Sequence, residues 1–512
     1  MAIPAGAVGK VAQTDGQTIV VSVAPKKRLH HRDFIEVPFE REGKSHILIA
    51  QVGLLVGEDV KADSSTSILG ISLDLEVTRV RATAKIIAFI NEAGAVSALE
   101  PTIEYMGQPA FQAKPENLSK VFSQPDDTDL VPLEVGTLLG SSEIVPVSLD
   151  PSGLMRHTAV FGQSGSGKSF SFGILLEELL LKTDARIVVL DPNSDYRNFG
   201  KLRSPPKIRK YSRRPYNDTD HANLESKWTD LSKNFLQFSN TGRKLSLLFS
   251  DLGLKEQTKL LDLDPLHDRE EFSVFREVRE TLGSAYSLED VLKSLSGKSL
   301  SVEKVRLLYR ITNREVDKLS IWGPTSLVSD LKTDTWKFAS LDLRDVTPLE
   351  RSLLAAAVLE TLYRAIIQGP RSQRVTFFVI DEAHNLCPSV PWFPHQEAPR
   401  RIIHEIAAEG RKYGVFLILL TQNPSKLSEQ ALFQCDNVIL MKMTSRTEVQ
   451  TLDSVVKDAG PRLAQIAFGL GKGEAVCMGG IVKSDATVKF DLRKSEEGGE
   501  DVGKDWAKRG PS

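Results

Sequence analysis

The chain has 512 residues, 41% of them hydrophobic and 26% charged, and 65 Lys and Arg against 67 Asp and Glu leave a formal net charge of -2. That length calls for two or three domains, and the ordinary globular composition excludes collagen-like, disulfide-scaffold and wholly disordered chains. A net charge near zero confines any nucleic-acid contact to a local patch or an enclosed channel.

Residues 1–120 read as β-rich. Thr18 to Val23 is a short apolar strand, Phe34 to Phe39 and His46 to Gln51 flank the hairpin signal Glu42-Gly43-Lys44, and Leu75 to Ile90 is rich in β-branched residues. Short strands with close turns predict a small barrel. Residues 121–140, with Pro125-Asp126-Asp127-Thr128-Asp129, read as a polar linker. Thr158 to Phe161 is then a strand, followed by a glycine-rich loop and a helix from Ser169 to about Leu181. Arg186 to Leu190 is an apolar run of strand length that ends at Asp191.

Residues 204–335 break this alternation and read as a helical insertion, with Val302, Val305, Leu308 and Thr312 on one helical face. The insertion lies behind a connector carrying Lys201, Arg203, Lys207, Arg209, Lys210, Arg213 and Arg214 and no acid. That connector is open to two readings, a phosphate contact or a solvated face. Tyr211 and Tyr216 beside it, and the cluster Lys26-Lys27-Arg28 with His30, His31 and Arg32, are open to binding or to ordinary surface roles.

Strand-like runs return at Phe338 to Leu343, Val375 to Ile380, Val415 to Leu420 and Asn437 to Met441, with helical patterns at Glu350 to Gln368 and Arg400 to Tyr413. Continuous apolar strands alternating with helices predict a parallel α/β core over residues 141–203 and 336–490. Residues 491–512 are charged and glycine-rich and read as a flexible or docking tail. No apolar run approaches the ~20 residues of a membrane span, and the N-terminus lacks a signal-peptide pattern. Cys387, Cys435 and Cys477 are far apart, without metal-ligand spacing, which fits a reducing cytoplasm.

Gly162-Gln163-Ser164-Gly165-Ser166-Gly167-Lys168-Ser169 fits G-x-x-x-x-G-K-[ST] at every fixed position, between a strand and a helix that continues through Phe170. Glycines let the backbone N–H groups face phosphate oxygens, and the helix N-terminus adds positive potential. Lys168 then reaches the β- and γ-phosphates of ATP, and the Ser169 hydroxyl holds Mg²⁺. Val375 to Ile380 is an apolar strand ending in Asp381-Glu382. Asp381 suits the Mg²⁺ shell, and Glu382 suits orienting or deprotonating a lytic water. Thr421-Gln422 ends a neighbouring strand, where Gln422 can contact the γ-phosphate or that water. Asp191-Pro192 either lines the site or starts a turn. Arg411 and Arg156 are each either plain surface cations or arginine fingers aimed at a neighbour's nucleotide.

These motifs carry a resemblance. Gly162 to Ser169, Asp191-Pro192-Asn193-Ser194-Asp195-Tyr196, Val379 to Asn385, His404 to Gly414, Thr421 to Leu427 and Gly471 to Ala475, in this order behind a barrel, resemble the HerA family. That family comprises hexameric DNA translocases of the FtsK/HerA group of P-loop ATPases, with an N-terminal HAS-barrel. The resemblance implies a RecA-like ATPase core with the helical subdomain inserted in it. It implies that Lys168 and Ser169 bind ATP-Mg²⁺, that Glu382 is the catalytic carboxylate beside Asp381, and that Gln422 is the sensor. It places Arg411 in trans and Arg156 near the subunit interface. Asp195 stands where a longer acid is usual, and no catalytic role is expected of it. The resemblance further implies a cytoplasmic homohexamer around double-stranded DNA and no membrane. Its expected partner is an effector docked on the barrel, a NurA-like nuclease or a sirtuin-type enzyme, in DNA end processing or anti-phage defence. A ring that assembles an effector under nucleotide control is the alternative.

Overall fold

The computed structural model describes residues 4–25, 27–61, 76–97, 103–123, 125, 127, 129–205, 217–297, 300–369, 374–455 and 463–499. Lys26, Leu75, the connector from Lys207 to Arg214, Tyr211, Tyr216 and the end of the tail from 500 lie outside the described residues. The chain divides into two compact units, Met1–Gly153 with Val476–Phe490, and Leu154–Ala475 with Asp491–Ser512.

In the first unit, alternate apolar residues build a closed barrel. Its strands are β1 (Gly9–Thr14), β2 (Thr18–Val23), β3 (Phe34–Arg41), β4 (Lys44–Lys61), β5 (Glu76–Ile90), β6 (Val96–Ser97) and β7 (Pro109–Gln112). The order β2-β1-β7-β3-β4-β5 closes through a β2–β5 pairing, and β6 adds to β5. Val11, Ile19, Val21, Ile35, Val37, Leu48, Ala50, Ala82 and Ala84 fill the interior. Glu42 (φ 54) and Gly43 (φ 75) form the two-residue turn that pairs Arg41 with Lys44. Two positive φ values match the primed turns that suit twisted hairpins.

Helix α1 (Pro115–Phe122) follows, then β8 (Leu133–Leu138) and β9 (Pro146–Leu149), which pair antiparallel. Ala486–Phe490 pairs antiparallel with β8. The linker expected over 121–140 therefore contains a buried strand, with Leu133, Val135 and Leu138 in the core. Residues 141–153 and 476–490 also belong to this unit and not to the ATPase core.

In the second unit, seven strands lie parallel in the order β12-β13-β11-β14-β15-β10-β16. They are β10 (His157–Phe161), β11 (Arg186–Asp191), β12 (Phe235–Phe238), β13 (Phe338–Asp342), β14 (Thr376–Ile380), β15 (Val415–Thr421) and β16 (Cys435–Met441). The central strands are buried along their whole length, as a sheet covered on both faces requires. Their C-terminal ends lie side by side. Phe161 pairs with Thr421, Ile380 with Leu419 and Leu190 with Ile380. Residues leaving those ends share the sheet edge where α/β proteins hold ligands.

Helix α2 (Lys168–Lys182) follows β10, and α3 (Asp218–Ser232) precedes β12. β12 is a parallel edge strand inside the span expected to be a mostly helical insertion. Helices α4 (Leu254–Leu261), α5 (Arg269–Leu282), α6 (Leu288–Leu295) and α7 (Val302–Asn313) pack around Phe249, Phe275, Val291, Leu307 and Ile311. The expected face of α7 is corrected. Leu307 and Ile311 are buried, Leu308 packs at the margin, and Val302 and Val305 are 61% and 51% exposed on the opposite side. The helix is apolar on two sides, so periodicity alone did not choose between them. Helices α8 (Pro348–Gln368) and α9 (Glu397–Glu409) flank β14 in sequence.

Candidate nucleotide site

The loop after β10 is shaped by its glycines. Gly165 (φ 76) and Gly167 (φ 92) are left-handed, and Gly167 is the residue from which α2 starts. A Cβ on Gly162 would stand 2.7 Å from Ser166 Oγ and 3.0 Å from Met441 Cβ. The loop is tied down at both ends. The Gln163 N–H donates to the Lys442 carbonyl (3.0 Å), and the Gly473 N–H donates to the Ser166 carbonyl (2.8 Å). The Gln163 side-chain oxygen accepts from the Thr444 hydroxyl at 2.6 Å. Ser164 is exposed at the loop tip, and Phe170 lies under the Arg203 guanidinium, 5.3 Å from its ring centre.

Lys168 is buried and paired with both acids that leave β14. Its Nζ is 2.9 Å from Glu382 Oε1 and 3.3 Å from Asp381 Oδ1. Burial opposes the ammonium charge, but the two carboxylates outweigh it and hold the pKa above its usual value. Burial pushes the Glu382 carboxyl up, and Lys168 pulls against that shift. Glu382 has φ 47, a left-handed conformation uncommon outside glycine, at the exit of a buried strand. Its carboxylate accepts from the Gln422 backbone N–H. Gln422 thus stands beside Glu382, between the strand ends of β14 and β10. His384 Nδ1 lies 3.0 Å from Thr421 Oγ1 and 3.3 Å from Glu382 Oε2, with a pKa lowered by burial and by Lys168 to about 4.

Asp191 organises the turn after β11. Its carboxylate accepts from the N–H groups of Asn193 (3.2 Å), Asp195 (3.1 Å) and Tyr196 (2.8 Å). Burial, with the charges of Asp381 and Asp195, pushes its pKa up to about 8. The Ser169 hydroxyl donates to the Asp195 carboxylate. One oxygen from each of Asp191, Asp195 and Asp381 lies within 4.8 Å of the others. Asp381 Oδ2 is buried without a hydrogen bond. Three crowded carboxylates with an unsatisfied buried oxygen form a hard oxygen donor set that fits Mg²⁺.

Behind this turn lie residues 491–499, the start of the segment expected to be a flexible or docking tail. Arg493 is wholly buried against Gly173 of α2, and its guanidinium stacks on Tyr196 and Phe199 at 5.3 and 5.2 Å. Arg493 Nη2 donates to the Asp195 carbonyl (3.3 Å). Buried Glu177 of α2 accepts from the N–H groups of Lys494 (3.0 Å) and Ser495 (2.6 Å). The segment 491–499 is thus a brace between the phosphate-loop helix and the Asp191–Tyr196 turn.

Arg156 and Arg411 stand elsewhere. Each precedes the N-terminal end of a strand, β10 and β15, and both face Asp436 at the start of β16. Their Nη1 atoms are 3.5 and 3.7 Å from the same Asp436 Oδ2, and the side chains are 46% and 42% exposed. Gly162 lies at the far end of β10 from Arg156, about 20 Å away at ~3.3 Å per residue. Neither arginine is gathered with Lys168, Asp381 and Glu382.

Residues 133–362 match the family model described as helicase HerA, central domain. Over that span the chain is similar to the HerA helicases, and its phosphate loop and paired acids are those of a P-loop ATPase. A probable helicase of Methanocaldococcus jannaschii is 27% identical over 406 residues, 77% of this chain and 73% of that protein. The DNA double-strand break repair helicase HerA of Pyrococcus furiosus is 26% identical over 431 residues, 72% of this chain and 73% of that protein. Among solved structures, the plasmid coupling protein TrwB in complex with a GTP analogue aligns with a TM-score of 0.44 and 16% identity. That alignment covers 70% of this chain and 90% of TrwB.

Within this site, two contributions are not legible in the sequence. Asp195 was set aside as too short, yet the turn held by Asp191 carries it to Ser169 and Asp381. Arg493 had no signal at all, since its partners lie about 300 residues earlier. The available hint for Asp195 was the density of acids and turn formers in Asp191-Pro192-Asn193-Ser194-Asp195.

Proposed function

We propose that this protein is an ATP-driven translocase of double-stranded DNA that works as a homohexamer. The observation that carries the reading is the division of charge between the two edges of the second unit's sheet. At the C-terminal edge, Lys168, Ser169, Asp381 and Glu382 converge as a phosphate and metal site needs. At the other edge, Arg156 and Arg411 are half-exposed, too far from that site to serve it within one chain. A head-to-tail interface that brings one chain's arginine edge to the next chain's nucleotide closes as a ring.

Mg²⁺–ATP, when bound, supplies an activated γ-phosphoryl group whose charge the metal neutralises. Lys168 would exchange its carboxylate partners for phosphate oxygens, and Ser169 and Asp381 would hold the metal, with Asp191 and Asp195 closing the acidic set. Glu382, released from Lys168, orients the attacking water and accepts its proton. Gln422, beside Glu382, senses the γ-phosphate. DNA would be gripped through its phosphates inside the ring, with little sequence preference. The barrel is the docking surface for an effector, a NurA-like nuclease or a sirtuin-type enzyme.

The test is the ATPase rate with and without linear duplex DNA across a salt series, with Glu382→Gln as control. Stimulation that fades with salt, and turnover reduced about 10³-fold in the variant, are expected. Turnover lost in the variant but indifferent to DNA would replace translocation by a nucleotide-controlled scaffold for the effector.

A further inference from the structure

The ten residues after Glu382 reach an exposed aromatic tip that the nucleotide site does not use. Val390 is 67% exposed, Trp392 85% and Phe393 58%, all within Val390-Pro391-Trp392-Phe393-Pro394. Large apolar side chains held in water mark interaction sites, and tryptophan is the most frequent kind of anchor.

This tip stands on a built base. Pro388 pairs with Leu427 in an antiparallel bridge. The Ser389 N–H donates to the Lys426 carbonyl (2.8 Å), and the Ser428 N–H donates to the Cys387 carbonyl (2.9 Å). The Gln396 side-chain oxygen accepts from the N–H groups of Trp392 (2.9 Å) and Phe393 (3.1 Å), and its amide donates to the Asn385 carbonyl (3.2 Å). Phe393 stacks on His395 with centroids 5.4 Å apart. Three prolines and these bonds fix the loop before any partner arrives, so little ordering entropy remains to oppose binding.

A cavity of about 300 Å³ adjoins the loop where it enters α9. Lys255 and Lys259 of α4 and Arg400 and Arg401 of α9 line it, against Glu256 and Glu397. Lys259 pairs with Glu397, and Arg401 with Glu256 and Glu360, which leaves Lys255 and Arg400 as the cations of this wall outside those pairs. Arg400 also donates to the Pro388 carbonyl (3.0 Å), linking the cationic wall to the base of the aromatic tip.

An aromatic tip beside a cationic wall is the pairing that grips a nucleic-acid strand: the ring packs on sugar or base faces, and the cations take phosphates. We propose that the Val390–Pro394 loop, with Lys255 and Arg400 behind it, is the DNA-contacting loop of this protein. The inference rests on the translocase reading and names the contact that reading lacks.

The test is binding of a fluorescein-labelled duplex to the full chain with a non-hydrolysable ATP analogue, by anisotropy across a salt series. Particle mass is measured on the same samples. Trp392→Ala is expected to weaken binding about tenfold or more with an unchanged salt slope, and Trp392→Phe to recover most of the loss. Lys255→Ala is expected to lower the slope by about one. Unchanged affinity in Trp392→Ala, beside a wild type that binds, overturns the loop assignment alone. Weakened binding that comes with loss of the ring overturns it in favour of a contact between copies of the chain. A wild type with no duplex affinity overturns the translocase reading itself.

Discussion

The two edges of the second unit's sheet solve opposite problems with the same residue types. At the C-terminal edge, buried Lys168 sits between the carboxylates of Asp381 and Glu382, and the acids outnumber it. At the N-terminal edge, Arg156 and Arg411 share one carboxylate, Asp436, and all three are nearly half exposed. Buried charges must be paired within the chain or they are too costly to keep. Half-exposed charges gain little from one distant partner and remain available to another chain. On the proposed reading, the difference separates a site that one chain supplies from one that a neighbouring chain uses.

The sharpest way to break that comparison is Arg411→Ala. Removing a finger supplied in trans is expected to lower the hydrolysis rate about a thousandfold while nucleotide binding persists. Mixing Arg411→Ala with Glu382→Gln protein then restores part of the rate, because some interfaces pair an intact Arg411 with an intact Glu382. An Arg411 that served only Asp436 in its own chain would show no recovery on mixing. Arg156→Ala follows the same pattern with a smaller loss.

A second prediction tests the completeness of the C-terminal edge. Asp195→Asn keeps the shape of the turn and removes one negative charge from the acidic set. The Mg²⁺ concentration for half-maximal hydrolysis is expected to rise about tenfold, with the maximal rate largely recovered at saturating metal. A rate that stays low at any Mg²⁺ would mean that Asp195 acts on the reacting atoms and not through the metal.

How much of this was legible in the sequence varies with the range of the interaction. The strands of the core and the phosphate loop could be read because local rules define them. β-branched runs such as Val415 to Leu420 have no polar face, and glycines at fixed spacing have no common alternative use. The barrel hairpin at Glu42-Gly43 was legible for the same reason. Glu177 was not, because a glutamate in a helix normally faces water. Here it is buried, satisfied by the backbone of Lys494 and Ser495 from the far end of the chain. β8 was hidden by the polar residues ahead of it, and α7 by having two apolar sides. In each case tertiary contact, not local pattern, decided the outcome.

The smallest effect concerns His157, at the N-terminal edge. It follows Arg156 in sequence yet is buried, with Nδ1 accepting from the Leu417 N–H (2.8 Å) and Nε2 donating to the Ala407 carbonyl (3.0 Å). Burial lowers its pKa to about 4, below the usual imidazole value. A histidine that charges more easily unfolded than folded favours unfolding as protons are added. Its contribution is therefore whole above pH 6.5, declines as the pH falls towards 4, and amounts at most to about 3 kcal/mol. His157→Gln keeps a donor and an acceptor without the titration. The variant is expected to melt below wild type at neutral pH, with a smaller drop in melting temperature between pH 7.5 and about 4.5. If both proteins lose stability equally over that interval, His157 does not titrate on unfolding.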